Sequence, residues 1–226
     1  MTICYSIIKH TKDAVLLGTD TLFTLGSPAI AKGYHNKHLI LHEQNCVVAH
    51  EGVDPLWENM GILQHISTQI KTTLKRNERP SKVGKTILDH FRARYLKLGI
   101  PQHMSFQICG FEESSPVIVD VRLRAEETRF DVLHSGDNLG APDTFMQYIK
   151  RNPTTTLFSL SRLSSSDSFA LFDTSRYVDH IRGVISRGIA IDQKVSGDKA
   201  TCGGGINILV VSRQNVEWVE RTRSPL

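Results

Sequence analysis

Short apolar runs separated by polar breaks fill the first fifty residues of the sequence. The run ICYSIIK is followed by a polar break and then by AVLLGTD, a pattern typical of a β-hairpin. Three further runs are rich in β-branched residues, which favour strands over helix, and lie around residues 28–32, 37–41 and 46–50. The pattern therefore predicts a series of short strands in this part of the chain.

The apolar pattern changes from strand-like to helical after Gly52. Apolar side chains then recur at intervals of three and four residues, which places them on one face of a helix. They are Leu56, Met60, Leu63, Ile66, Ile70 and Leu74. Asp54 suits the N-cap of this helix and Pro55 suits its first turn. A second helix is predicted over residues 82–98, before Gly99.

Strands return in the second half of the chain. MSFQICGF, PVIVDVRL and RFDVLHSG are apolar runs broken by charged and small polar residues, and they predict three strands. Two more strands, GGGINILVVSR and NVEWVER, are predicted around a turn near the end of the sequence.

Helices are predicted between these groups of strands. DNLGAPDTFMQYIKRN indicates a short helix, and TTLFSL after it fits either a strand or an extended connection. SRYVDHIRGVISRGIAIDQ carries Tyr177 and Ile181 at helical spacing and predicts a longer helix. Its internal glycines weaken that prediction by about 1 kcal/mol each relative to alanine.

The predicted elements fall into blocks of strands, two helices, strands, one or two helices, and strands. Segregated blocks indicate α+β layers and not alternating βαβ units. Two amphipathic helical layers need apolar surface to cover, and two stacked sheets between them would supply it. No repeat, low-complexity tract or linker interrupts the sequence, so a single domain spanning residues 1–226 is expected.

The composition fits a packed protein that does not bind nucleic acid. The 226 residues are 40% hydrophobic and 22% charged, which is ordinary for a globular domain. The net charge of +4 arises from scattered charges, and the densest basic stretch, residues 71–82, fits a solvated helix end and loop. A protein that reads nucleic acid concentrates Lys and Arg on one face.

The cysteines and the apolar runs predict a cytoplasmic protein. Cys4, Cys46, Cys109 and Cys202 are widely separated and form no C-x-x-C motif, so reduced thiols are expected. Residues 1–10 lack the basic and apolar regions of a signal peptide. No apolar run is long enough to span a bilayer, so no membrane partner is expected.

No metal or cofactor is expected from the motifs. Strand alternation would separate the faces that carry His35, His38 and His42, which argues against a zinc site. The stretch SKVGKT follows Arg79, which stands where a phosphate-binding P-loop needs its first glycine.

Thr2 combines a hydroxyl with a position next to Met1. A hydroxyl is a weak nucleophile at neutral pH and needs a base beside it. When Met1 is removed, the α-amino group of Thr2, with a pKa of about 7.7–8.0, can be that base. A nearby cation would lower the hydroxyl pKa, and a carboxylate would hold the cation in place. Lys37 and Asp20 are the candidates for these two roles.

Four segments, T-I-C-Y, LLGTDTLFTLG, AKGYHNK and VVAHEGVD, precede the two predicted helices. In this order they resemble the N-terminal half of proteasome β-subunits and of their bacterial relative, the HslV peptidase. These proteins are N-terminal-nucleophile hydrolases. The resemblance covers most of the chain and is most specific in its N-terminal part.

The resemblance implies a role for each matching residue. Thr2 falls on the nucleophile, Asp20 on its acidic partner and Lys37 on the active-site lysine. Gly52 falls on the glycine whose backbone N–H helps to form the oxyanion hole. Ser135 matches the serine that contacts the amine of the nucleophile.

Two of the matches have alternatives. Asp198 and Thr201 fall on the family's acidic segment before the closing strand, but Asp192 with Ser196 is a competing pair. Lys32 is the alternative for the active-site lysine.

The resemblance also implies the fold, the activity and the assembly. The fold would be an α+β four-layer αββα sandwich, and the activity would be threonine-type hydrolysis of peptide bonds in polypeptide substrates. The chain would form a homo-oligomeric ring with the active sites facing an inner chamber. Because nothing in the sequence binds ATP convincingly, an ATP-driven unfoldase would be a separate protein. Two other functions stay open, namely an amidohydrolase acting on a small amide and a catalytically inactive structural subunit.

Overall fold

Two antiparallel β-sheets dominate the computed structural model of the chain. The residues that it describes are 2–25, 30–34, 37–53, 62–98, 103–124, 128–140 and 173–222. Within these ranges the chain forms two five-stranded sheets, a two-stranded ribbon and three α-helices.

The first sheet joins strands that are far apart in sequence. In order across the sheet, its strands are β10 (Asp137–Gly140), β1 (Cys4–Ile8), β2 (Ala14–Asp20), β11 (Ile206–Ser212) and β12 (Val216–Glu220). Every neighbouring pair is antiparallel. β1 and β2 form the hairpin predicted from the sequence, with Cys4 opposite Thr19 and Ile8 opposite Val15.

The second sheet is a meander in which consecutive strands are neighbours. Its strands are β5 (His38–Leu41), β6 (Cys46–Val53), β7 (His103–Glu112), β8 (Ser115–Arg124) and β9 (Thr128–Leu133). A separate antiparallel ribbon pairs β3 (Leu22–Leu25) with β4 (Ile30–Tyr34). The ribbon links the first sheet to the second.

The inner faces of the two sheets form a shared core. Its apolar part contains buried residues from β1, β2, β6, β7, β8 and β11, among them Val15, Val47 and Ile118. A polar contact crosses the same space, because the Ser6 hydroxyl on β1 donates to Gln107 Oε1 on β7 at 2.7 Å. The two sheets therefore pack face to face.

Three described helices pack on the sheets, one on the first sheet and two on the second. They are α1 (Ile62–Thr73), α2 (Pro80–Leu98) and α3 (Thr174–Ser196). Asp173 caps α3 by accepting a hydrogen bond from the backbone of Arg176 at 3.2 Å. The buried side of α3 packs on β1, β2 and β11, so closely that a Cβ at Gly18 would overlap Ile181.

Helices α1 and α2 pack on the second sheet. Ile66 of α1 and Val83, Ile87 and Phe91 of α2 share one buried cluster with residues of β6, β7 and β8. Phe91 stacks on Phe106 of β7 with ring centroids 5.5 Å apart. The apolar positions predicted at helical spacing therefore face the sheet wherever the structure describes them.

The predicted four-layer αββα sandwich is wrong and is corrected here. The described chain consists mostly of ten strands in two antiparallel sheets, with only three helices in the parts of the chain that the structure covers. One physical reason lies at residues 137–140, which were predicted to begin a helix. They form β10 instead, because pairing with β1 satisfies their backbone groups.

Several predicted elements are confirmed within small boundary shifts. α2 begins at Pro80, two residues before its predicted start, and α3 covers the predicted helix. The rest of the short predicted helix after residue 140, TTLFSL, and the expected cap at Asp54 and Pro55 lie outside the described residues. None of the helices that the structure describes is both long enough and apolar enough to cross a membrane.

Candidate functional site

Asp20, the last residue of β2, is the centre of a buried hydrogen-bonded group. Its side chain is fully inaccessible to solvent. Oδ1 accepts hydrogen bonds from the backbone N–H of Ile3 at 2.9 Å and from Lys37 Nζ at 3.0 Å. Oδ2 accepts the backbone N–H of Gly203 at 3.0 Å. One carboxylate thus binds three segments of the chain that are distant in sequence.

Lys37 lies immediately before β5 and reaches into this group. It is 8% exposed, and its ammonium forms an ion pair with Asp20 at 3.0 Å. Removing two charges from water costs free energy unless the pair is close and well hydrogen-bonded. The additional backbone donors on Asp20 hold the carboxylate in place, so the pair meets that condition.

Thr2 is held next to the ion pair by the start of the β1–β2 hairpin. The backbone of Ile3 both donates to Asp20 Oδ1 and accepts the backbone N–H of Asp20, the second bond at 3.2 Å. Because the Ile3 amide and the Lys37 ammonium contact the same oxygen atom, the two donors lie side by side. Thr2 is the residue just before that amide and is 5% exposed. The structure therefore brings Thr2, Asp20 and Lys37 together.

Gly52 lies on β6, beside the strand that follows Lys37. Its φ of 110° is in a region that residues with a Cβ avoid, which explains why glycine is needed there. The backbone N–H of His50 donates to the carbonyl of Lys37 at 3.4 Å. Gly52 is two residues further along β6, a distance of about 7 Å along a strand. Its role as an oxyanion donor stays a prediction.

A second buried carboxylate, Asp192, lies in the last turn of α3. It is 2% exposed and accepts the backbone N–H groups of Thr201 at 2.7 Å and Cys202 at 2.8 Å. The hydroxyls of Ser196, at 3.1 Å, and Thr201, at 3.4 Å, also point to it. Asp198 is exposed on the following 3₁₀ turn and does not join the group. The structure therefore groups Thr201 with Asp192 and Ser196 and leaves Asp198 outside the group, and the catalytic roles of these residues stay predictions.

The two carboxylates bind adjacent peptide groups. Asp192 accepts the N–H of Cys202, and Asp20 accepts the N–H of the next residue, Gly203. The carbonyl of Gly203 in turn accepts the backbone N–H of Leu22 at 2.9 Å. Cys202 and Gly203 were missed as site residues in the sequence, where the GGG run before a predicted strand was the available signal.

Ser135 lies far from Thr2, so its predicted contact is wrong. It is exposed in the bend between β9 and β10. Its neighbour Gly136 accepts the backbone N–H of Ile8, at the opposite end of β1 from Thr2. The six residues from Thr2 to Ile8 span about 20 Å of extended strand. The intervening strand β10 places Gly140, and not the serine, opposite Cys4.

The lysine alternative and the histidines are placed as follows. Lys32 lies on β4, and its side chain is outside the described part of the structure, so the Asp20 partner that the structure shows is Lys37.

Burial, with the charge of Lys37 as a further cause, lowers the pKa of His38 to about 3 and that of His50 to about 3. Both imidazoles are therefore neutral near Lys37.

The residues of this group can provide a fixed positive charge and a rigid backbone around Thr2. Among the described residues there is no cluster of three or more His, Cys, Asp or Glu side chains suited to hold an ion. A buried ammonium next to a hydroxyl favours the deprotonated oxygen. No family model and no curated protein matches the chain.

Proposed function

We propose that the chain is a threonine-type peptidase in which Thr2, as the N-terminal residue of the processed chain, is the nucleophile. The observation that carries the proposal is the shared oxygen of Asp20, which holds the Lys37 ammonium beside the backbone of Ile3, one residue from Thr2. A hydroxyl nucleophile needs both a base and a stabilising charge. The free amine of Thr2 and the ammonium of Lys37 supply them.

The reaction proceeds in two stages. The amine of Thr2 accepts the hydroxyl proton, directly or through water, and the oxygen attacks the carbonyl carbon of the peptide bond. The C–N bond then breaks, the proton passes to the departing amine, and an ester to Thr2 remains. In the second stage, water loses a proton to the same amine and attacks the ester, the C–O bond to Thr2 breaks, and the amine returns the proton to the Thr2 oxygen. The products are two peptides and the regenerated enzyme.

Charge and backbone groups around Thr2 stabilise the transition state. The ammonium of Lys37 keeps the local potential positive, and Asp20 fixes its position. The backbone N–H of Gly52 is assigned to the developing oxyanion. Loss of one such donor typically lowers the rate by about 10²–10³.

Asp192 acts as a positioning residue in this proposal. By binding the N–H groups of Thr201 and Cys202, it fixes the segment whose next N–H, that of Gly203, binds Asp20. Asp20 in turn orients Lys37. The role of Asp192 is thus to hold the ion pair in one geometry, without contact with the substrate.

The proposal requires that the mature chain starts at Thr2. Only a chain that begins at Thr2 has a free α-amino group on the residue that carries the hydroxyl, and this amine is the base of the proposed reaction. Polypeptide substrates, a ring of identical subunits and a separate unfoldase are further parts of the proposal that rest on the resemblance alone.

Intact mass, labelling and activity together test the proposal. We expect a mass that lacks Met1, adduct formation with an epoxyketone directed at N-terminal threonine, and cleavage of fluorogenic peptides. Thr2→Ala should abolish labelling and cleavage. The matched control, Thr68→Ala, removes an exposed hydroxyl on α1 and should leave both unchanged.

Three results would contradict the proposal. One is undiminished cleavage by Thr2→Ala. Another is a folded chain that retains Met1 and takes no label, which would favour a structural subunit. The third is turnover of small amides without cleavage of any peptide, which would favour an amidohydrolase.

A further inference from the structure

Two histidines from neighbouring helices meet on the outer side of the second sheet. His65 of α1 and His90 of α2 have their Nε2 atoms 2.9 Å apart, and their ring centroids are separated by 5.0 Å. Both side chains are partly exposed, so an ion from solvent can reach them. Nothing in the proposed reaction at Thr2 uses this pair.

The pair has nearly the separation that two ligands of one metal ion need. Two imidazole nitrogens bound to a tetrahedral zinc ion at 2.0–2.1 Å lie about 3.3 Å apart. In the structure the two nitrogens are joined by a hydrogen bond, in which one ring donates its N–H to the other, and they lie a few tenths of an ångström closer than this. When the donor ring carries its proton on Nδ1 instead, a small separation of the rings lets both Nε2 lone pairs face one ion between the helices.

We propose that His65 and His90 bind one late first-row divalent transition-metal ion, such as Zn²⁺, through their Nε2 atoms and thereby link α1 to α2. Imidazole nitrogen is a preferred ligand for this class of ion. Water completes the coordination. Because the described residues contribute only these two nitrogens, the site binds more weakly than structural zinc sites with four protein ligands.

The surroundings hold the two rings in place for this role. Phe91 lies against His90 with ring centroids 5.2 Å apart and against His65 with centroids 6.2 Å apart. Phe91 is itself fixed by stacking on Phe106.

Calorimetry on the chelator-treated full chain tests the site. Titration with ZnCl₂ should give one bound ion per chain, and the melting temperature should rise with the logarithm of the zinc concentration. His65→Gln and His90→Gln should each weaken binding at least about tenfold, since loss of an outer-shell partner alone costs 10–100-fold. Glutamine can still hydrogen-bond across the helices, which preserves the fold.

The matched control is His134→Gln, which removes an exposed imidazole from the bend after β9. It should bind zinc as the wild type does. The site would be overturned if the wild type bound zinc no more tightly than His65→Gln and His90→Gln. It would also be overturned if the wild type showed no saturable binding.

A spectroscopic measurement on the wild type tests the site even if the histidine variants fail to fold. One equivalent of Cu²⁺ should show nitrogen hyperfine structure from two imidazoles in its electron paramagnetic resonance spectrum. A spectrum with oxygen ligands alone would also overturn the proposal. These measurements do not depend on peptidase activity, so failure of the metal site and failure of the proposed reaction are distinguishable.

Discussion

Asp20→Asn is the substitution with the most informative consequence, because it keeps the shape of the side chain and removes its charge. The fully buried carboxylate accepts three hydrogen bonds, from Ile3 and Lys37 on one oxygen and from Gly203 on the other. An asparagine has one carbonyl oxygen and one amide nitrogen. Whichever way the amide is oriented, its NH₂ group faces a donor that the carboxylate had accepted.

The expected loss of stability follows from the buried ammonium. Lys37 is 8% exposed, so Asp20→Asn leaves a charge without its counterion in a region poor in water. Breaking a buried ion pair on one side typically costs about 3–5 kcal/mol. For a chain of this size, that corresponds to a fall in Tm of about 6–20 °C.

Urea unfolding and calorimetry at neutral pH measure the effect. The matched control is Asp89→Asn, which removes a carboxylate whose ion pair with Lys85 is exposed and 3.6 Å long. That change should alter stability by less than about 0.5 kcal/mol. If Asp20→Asn costs no more than the control, the ion pair does not hold the site together and the reasoning is refuted.

A double-mutant cycle separates the ion pair from the other contacts of Asp20. Lys37→Met removes the ammonium but keeps most of the aliphatic volume. In the Asp20→Asn background it removes the ammonium whose carboxylate partner is already gone, so the double variant should be less destabilised than the two single losses would sum to. Additive losses would show that the backbone donors, and not Lys37, account for the effect of Asp20.

Two further predictions concern the second carboxylate and the buried histidines. Asp192→Ala should lower the free energy of unfolding by about 1–3 kcal/mol for each backbone donor left without an acceptor. The control Asp198→Ala should change it by under about 0.5 kcal/mol. Equal effects of the two substitutions in urea unfolding would contradict the assignment. The folded-state pKa of His50 is about 3, against about 6.5 when unfolded. With respect to His50, the folded state therefore has its full stability above pH 6.5. As the pH falls from 6.5 towards 3, the free energy of unfolding decreases by at most about 1.4 kcal/mol per pH unit. His50→Gln should flatten the urea midpoint between pH 7 and 5, and an unchanged slope would argue against a buried neutral imidazole.

The part of the site near the start of the chain was predictable because its signals are local. Apolar runs with a polar break fixed the β1–β2 hairpin, and Asp20 ends the second strand. A β-hairpin places its outer ends together, and in the structure the backbone of Ile3, next to Thr2, contacts Asp20. The ion pair with Lys37 was proposed from the family resemblance, and the structure contains it.

The choice between Asp192 and Asp198 depended on where α3 ends. The helix ends at Ser196 because Gly197 takes a φ of 53°. Asp192 is then one turn from the end, on the side where the chain returns, and Asp198 is left on the exposed turn. Helix ends are uncertain from sequence by a residue or two, and one turn of helix decides which carboxylate is buried.

Ser135 and the fold class failed because they depended on pairing between distant strands. The segment DNLG has no apolar alternation, so nothing local indicates that it is a strand. It becomes one because the edge of β1 offers unpaired backbone groups. That pairing shifts Ser135 to the far end of β1 and adds a fifth strand to the first sheet where a helix was expected.

The two buried carboxylates, Asp192 and Asp20, are coupled because they bind the backbone N–H groups of two consecutive residues, Cys202 and Gly203. The two N–H groups belong to adjacent peptide groups joined at the Cα of Cys202, so a shift of this backbone away from Asp192 also displaces the N–H of Gly203 from Asp20. Loosening Asp192 should therefore lower kcat through the position of Lys37, although Asp192 does not contact the ion pair. For the same reason, Asp192→Ala and Asp20→Asn should be non-additive in stability, since the first loss already frees the segment that the second would release.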